Sequence, residues 1–194
     1  MLPRRTVLLG GAAAAAACIG LPAFAAQPNK DDEGAIDPRK ARIIRVGRST
    51  TPGVIHVKPD EFALYWTMAN GRAIRYPIGV AKRHLWEPGS YVIRAKREWP
   101  RWTPTPAMIE RNQKYAKWED GMPGGPANPL GARALYLFDA KGRDTMLRIH
   151  GTNLPNTILS RVSNGCARLT NGYVTDLYNR VPLGTRVHLY PMTA

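Results

Sequence analysis

Cysteine is almost missing from this chain: 194 residues hold two, Cys18 and Cys166. That excludes a disulfide-stapled scaffold. Long apolar runs are missing as well. The longest, residues 6–19, is rich in alanine and glycine and falls short of the roughly 20 strongly apolar residues of a membrane span. Acidic residues are scarce, 14 against 28 lysines and arginines. No histidine lies at zinc-ligand spacing from a cysteine, so no metal is expected, and no organic cofactor is implied. Helix-turn-helix, zinc-finger and RNA-binding signatures are absent, which argues against nucleic acid despite the positive charge. There are no internal repeats, and alternating βαβ units are absent, which argues against a Rossmann-type fold.

The N-terminus reads as an export signal. Arg4 and Arg5 precede the apolar run, and Ala23-Phe24-Ala25 forms a small-residue cleavage site, so residues 1–26 are expected to be removed. The paired arginines point to the twin-arginine route, although the fuller motif is missing. Cys18 also allows a lipoprotein reading, without the usual large aliphatic residue three positions earlier. The chain is thus expected in the periplasm or cell envelope, touching a membrane only through its signal. Cleavage leaves 26 basic and 14 acidic side chains, a net charge of +12. An anionic partner follows, with a generally basic, soluble surface as the plainer alternative. Cleavage also leaves Cys166 as the single thiol. In an oxidising setting a free thiol is a liability unless it is used; the alternative is an inert buried cysteine.

Residues 27–50 are polar and charged and read as an N-terminal arm. Residues 51–192 then form one domain. Short runs of branched and aromatic residues predict strands at 54–58, 62–67, 73–80, 91–97, 132–138, 146–150 and 185–190. Asn70-Gly71 marks a hairpin, since both residues tolerate positive φ. Helical spacing appears at 106–117 and 171–180. Between helix and strand, residues 121–131 hold four glycines and three prolines and read as a long loop. The expected fold is mainly β, with one or two helices and a mixed sheet arranged as a sandwich.

The chemistry concentrates in residues 150–187. Cys166 sits in Ser163-Asn164-Gly165-Cys166-Ala167-Arg168, and His150 closes an apolar strand sixteen residues earlier. A thiol becomes a strong nucleophile when an imidazole takes its proton. The imidazole needs a second partner to hold its tautomer, and a backbone carbonyl near Gly151 can serve. Gly165 lets a substrate approach the backbone, which makes the amides of Gly165 and Cys166 natural oxyanion donors. On a strand, Arg168 would share the cysteine's face and could grip a substrate carboxylate. Each feature has a plainer reading: a structural histidine, or an arginine in a surface ion pair. His56, His84 and His188 read as structural or surface residues. Trp99 and Trp102 flank Pro100, either as core aromatics or as lining of a substrate cleft. Tyr115 and Trp118 lead into the glycine–proline loop as a hinge, and residues 128–132 are candidates for the cleft rim. Asn153 and Asn171 are expected to tie down loops.

Taken together, His150-Gly151-Thr152-Asn153, Pro155, Gly165-Cys166, Arg168, Asn171 and the Leu177-Tyr178, Val181, Gly184-Thr185, Val187 ending closely resemble the L,D-transpeptidase (YkuD-like) catalytic domain. The resemblance extends upstream to about residue 54. It implies a cysteine in a cleft beneath a flap, with Cys166 as nucleophile and His150 as general base. Gly165, Gly151, Asn164 and Ser163 would shape the oxyanion site and orient the pair; Arg168, Asn153, Trp99 and Trp102 would bind substrate. It also implies a peptidoglycan tetrapeptide stem as acyl donor, loss of its terminal D-alanine, and a 3→3 cross-link to an amine on another stem. An envelope protein is an alternative acceptor. Acyl transfer to water, as in an L,D-carboxypeptidase, and a non-catalytic wall-binding module are the competing readings. A hydrolase of the NlpC/P60 type has the opposite order of cysteine and histidine. One departure stands out: Asn164 occupies the place where many relatives carry histidine. Asparagine hydrogen-bonds there but cannot shuttle protons near neutral pH.

Overall fold

The computed structural model describes residues 37–193. The expected signal (1–26), Cys18 and the first part of the arm lie outside the described residues. Among the described residues eleven strands and two α-helices follow one another, with short 3₁₀ turns between them. The strands are β1 (Arg42–Arg45), β2 (Val54–Lys58), β3 (Ala63–Met68), β4 (Arg72–Pro77), β5 (Val80–Ala81), β6 (Gly89–Glu98), β7 (Arg133–Phe138), β8 (Asp144–His150), β9 (Arg161–Ser163), β10 (Ala167–Arg168) and β11 (Arg186–Leu189). The helices are α1 (Pro106–Arg111) and α2 (Asn171–Arg180).

Nine strands make one mixed sheet in the order β1-β4-β3-β2-β11-β6-β7-β8-β10. The pairs β10–β8 and β11–β2 are parallel, and the rest of this sheet is antiparallel. A small parallel pair, β5–β9, stands beside it. The chain leaving β4 returns to the far edge of the large sheet: Gly79 and Arg168 exchange two backbone hydrogen bonds of 2.8 Å. The ends of the sheet are thereby folded towards each other around one core, which contains Ile55, Leu64, Ile93, Leu135, Ile149 and Leu169. On β6 Ile93 is buried beside the exposed Arg94, as a strand with one buried face requires, whereas on β8 both neighbours of Ile149, Arg148 and His150, are buried as well.

Helix α2 follows from its sequence in a direct way. Thr170 caps its N-terminus by accepting from the Tyr173 amide, and Val174 and Leu177 bury one face. Its C-terminal carbonyls are held from the sheet: Lys96 Nζ on β6 donates to the carbonyls of Tyr178 (2.5 Å) and Val181 (2.8 Å). A cation there also suits the negative end of the helix dipole. The helix leads the chain from β10, at one edge, to β11 in the middle of the sheet.

Three elements differ from expectation. Residues 42–45, assigned to a polar arm, form β1 and pair with β4 through Arg42↔Arg75 to Arg45↔Arg72. Pairing along an open edge needs only backbone groups, so Arg-Ile-Ile-Arg, with Ile43 exposed, gives little composition signal. The strand expected over 73–80 breaks after Pro77, where the chain turns at Ile78-Gly79 to meet Arg168. The helix expected over 106–117 ends at Arg111. Asn112 has φ −155° and ψ 100°, and its side chain accepts from the Lys114 amide, starting a separate 3₁₀ stretch, Gln113–Trp118.

Candidate active site

Strand β8 delivers His150 at its last residue, and the parallel partner β10 places Arg168 beside it. Cys166 stands one residue before β10, so the same pairing brings thiol, imidazole and guanidinium to one place. All three line a cleft of about 1030 Å³. Its other wall is a cap formed by α1, the 3₁₀ stretch and the glycine–proline loop.

His150 is buried, and its Nδ1 lies 2.6 Å from the Gly151 carbonyl oxygen. A carbonyl can only accept, so Nδ1 carries the proton and Nε2 keeps the lone pair of a neutral ring. Burial, and the charges of Arg168 and Arg148, push the imidazole down to about 4, against the opposing pull of the Gly151 and Leu130 carbonyls. Burial pushes the Cys166 thiol up, while the Arg148 amide and the charges of Arg148 and Arg168 pull it down. The resting groups are therefore a thiol and a neutral imidazole rather than a preformed ion pair.

The turn after His150 is clamped by Asn171, the first residue of α2. Its Oδ1 accepts from the amides of Ala132 (3.0 Å) and Thr152 (3.2 Å). Gly151 lies against this oxygen, and a β-carbon there would collide with it. Asn153 donates to the Ala127 carbonyl at 2.9 Å, tying the turn to the cap. Ser163 Oγ donates to the Cys166 carbonyl at 2.6 Å, and Ser163 and Asn164 both line the cleft. Gly165 has φ +130°, a conformation that favours glycine, with Leu147 packed where a side chain would stand.

Trp99 sits differently from expectation, and the plainer of the two readings of Arg168 fails. Arg168 is not in a surface ion pair. It is buried, its Nη2 reaches the Thr157 carbonyl at 3.4 Å, and its Nε has no partner among the described residues. Burial lowers its basicity. Trp99 does not line the cleft and is not a core residue; it is 43% exposed with φ 40°. The turn into the cap throws its ring outward, whereas Trp102 lines the cleft and stacks edge-on against Tyr115 at 5.4 Å. Pro129 and Leu130 also line the cleft.

Asn128 was read only as part of a rim. It is fully buried and staples the glycine–proline loop. Its Nδ2 lies 2.9–3.2 Å from the carbonyls of Pro100, Met122 and Pro123, and its Oδ1 accepts from the Leu130 amide. An asparagine between glycines and prolines is an ordinary turn signal, so nothing local sets it apart. Arg148, also unnoticed in sequence, lies over the Tyr136 ring and holds Asp144 through two hydrogen bonds. On a regular strand residues four apart stand about 13 Å from each other, so the spacing gave no signal; Met146, at φ 61°, lies between the two partners. Among the described residues no group of three or more metal-ligating side chains occurs.

The sequence profile of the L,D-transpeptidase catalytic domain matches residues 52–189. The chain belongs to the L,D-transpeptidase catalytic domain family. An Escherichia coli K12 relative named "Probable L,D-transpeptidase ErfK/SrfK" is 37% identical over 142 residues, 70% of this chain and 43% of that protein. The chain thus spans less than half the length of that curated relative. A crystal structure from Brucella melitensis, described as a probable carnitine operon oxidoreductase, is 48% identical, with a TM-score of 0.54 over 77% of this chain and 93% of that one. The Ldtfm–avibactam carbamoyl enzyme superposes with a TM-score of 0.55 over 74% of this chain and 51% of its own, at 15% identity, and shares the fold.

Proposed function

We propose that this chain is an exported cysteine acyltransferase of the cell envelope that acts on peptidoglycan stem peptides. The observation that carries the reading is the shared cleft of Cys166 and His150, with His150 Nδ1 fixed on the Gly151 carbonyl. That anchor leaves Nε2 as the base. Cys166 Sγ attacks the carbonyl carbon of the residue before the terminal D-alanine, and its proton passes to Nε2. The oxyanion is held by the amides of Gly165 and Cys166. The C–N bond breaks, the imidazolium proton goes to the departing D-alanine amine, and a thioester remains. An amine of a second stem attacks this thioester, gives a proton to Nε2, and releases Sγ as the new amide forms. The product is a 3→3 cross-link. The buried Arg168 guanidinium is suited to the donor's terminal carboxylate. The cap supports acyl transfer over hydrolysis because it stands across the cleft from Cys166 and would shield a thioester there from water.

The test is incubation of residues 27–194 with disaccharide-tetrapeptide, read by mass spectrometry beside Cys166→Ala. A cross-linked dimer lacking one D-alanine, absent with the variant, is expected. Tripeptide alone would make the protein a carboxypeptidase. Equal turnover by Cys166→Ala, or no product from the unaltered protein, would overturn the proposal.

A further inference from the structure

The cap is sorted by charge. Arg111, Lys114 and Lys117 face the cleft, while Glu110, Gln113 and Glu119 line a shallow hollow on its other side with Thr103, Pro106 and Ile109. The sorting follows from the backbone. Side chains three apart in a 3₁₀ turn are eclipsed, so Lys114 and Lys117 share a side; Arg111, the last residue of α1 before the extended Asn112, reaches the same cleft. Trp102 against Tyr115, and the paired backbone bonds of Trp102 and Met122 (2.9 and 2.7 Å), hold the segment in place.

Inside the cleft the imbalance is steep. Arg101, Arg111, Lys114, Lys117, Arg148 and Arg168 line it, against one carboxylate, Glu87. Arg148 is committed to Asp144. Arg111, Lys114 and Lys117 form no ion pair among the described residues, although Glu110 and Glu119 are close in sequence. A row of unpaired cations on one wall of a cleft raises the local concentration of anions and orients them.

The geometry points to the cleft face of the cap as the docking surface for the carboxylates of the acyl donor, with Arg111, Lys114 and Lys117 as specificity-determining residues that select anionic stem peptides over amidated ones. This rests on the peptide-substrate reading above and deepens it: Arg168 takes the end of the donor beside Cys166, and the cap takes the carboxylates further along the stem.

The experiment measures binding and turnover separately. Binding of a stem tetrapeptide with free carboxylates, and of its side-carboxyl amide, is measured calorimetrically on the Cys166→Ala chain. The same chain is tested with Arg111→Gln, Lys114→Gln and Lys117→Gln together, and with the outer pair Glu110→Gln and Glu119→Gln as control. The inner triple should weaken the carboxylated peptide about tenfold, flatten its salt dependence, and leave the amidated peptide unchanged. The outer pair should change neither. In the enzyme with Cys166 intact, the triple should raise KM with kcat within about twofold. Unchanged affinity in the triple, equal loss for both peptides, or no binding by the unaltered cleft would overturn the inference. Absence of product beside intact, charge-dependent binding would instead overturn the acyl-transfer reading and leave this one standing.

Discussion

Arg168 lies beside His150 in the parallel pairing of β10 with β8, and its buried guanidinium faces no carboxylate among the described residues. A buried cation without a counter-ion costs stability, and folds keep such groups where a ligand supplies the missing charge. Its two neighbours are also affected: the same charge holds His150 low and favours ionisation of Cys166.

Replacing Arg168 by methionine should separate stability from activity. The apolar chain fills similar space without the desolvation cost, so the urea midpoint should hold or rise. Loss of a desolvated charge partner should lower kcat/KM about 30- to 1000-fold. The acid limb of the pH profile should also move upward, because one cause of the low imidazole pKa is gone. Full activity in a stable Arg168→Met protein would remove the guanidinium from substrate binding.

The neutral His150 makes a second prediction. With the imidazole pushed down to about 4, kcat/KM should stay level from neutral pH to about 5 and fall only near 4. An acid limb near 6.5 would contradict the burial of the ring. Stability follows the same group. The unfolded chain binds the histidine proton below about 6.5 and the folded chain resists it until about 4. Stability should therefore drop as the pH falls through that window, by about 3 kcal/mol at most. His56, also held low by burial and by His188, adds in the same direction. The difference between the unaltered protein and His150→Gln in urea titrations at pH 7 and 4.5 isolates the His150 share.

Local patterns carried some elements and not others. Helix α2 was legible because Thr170, the Val174–Leu177 face and the chain after it all agree. The Asn70-Gly71 hairpin was legible because both residues take positive φ, 62° and 61°. Cys166, His150, Arg168, Asn153 and Trp102 were singled out by local pattern together with the family resemblance, and all five line one cleft. Trp99 was singled out with them and points elsewhere. Strand β1 was not legible, since only pairing with β4 defines it. The burial of Arg168 was not legible either, because Gly79 and Thr157 enclose it from about 90 and 10 residues away in sequence. Long-range contacts decide such positions, and spacing does not report them.

Asn128 is the sharpest case, and it yields the third prediction. The glycine–proline loop has no regular ladder of its own, so its carbonyls need partners from elsewhere. One buried amide meets two of them, Met122 and Pro123, together with the Pro100 carbonyl, and also accepts from the Leu130 amide. Alanine at this position would remove the partner of the Pro100 and Pro123 carbonyls and of the Leu130 amide in a closed space, while the Met122 carbonyl keeps its bond from the Trp102 amide. The cost should be about 2–3 kcal/mol. Aspartate, nearly the same shape, should be worse at neutral pH, since a carboxylate would face the same carbonyls and cannot donate. That penalty should lessen as the carboxyl is protonated on acidification. Because Leu130 and Pro129 line the cleft, the damage should reach turnover as well as stability. Hydrogen exchange locates it: in Asn128→Ala, amides of residues 121–131 should exchange faster while those of β7 and β8 keep their protection. Uniform acceleration across the sheet would instead mean that the loop and the core open together, and that Asn128 holds up the fold rather than the cap.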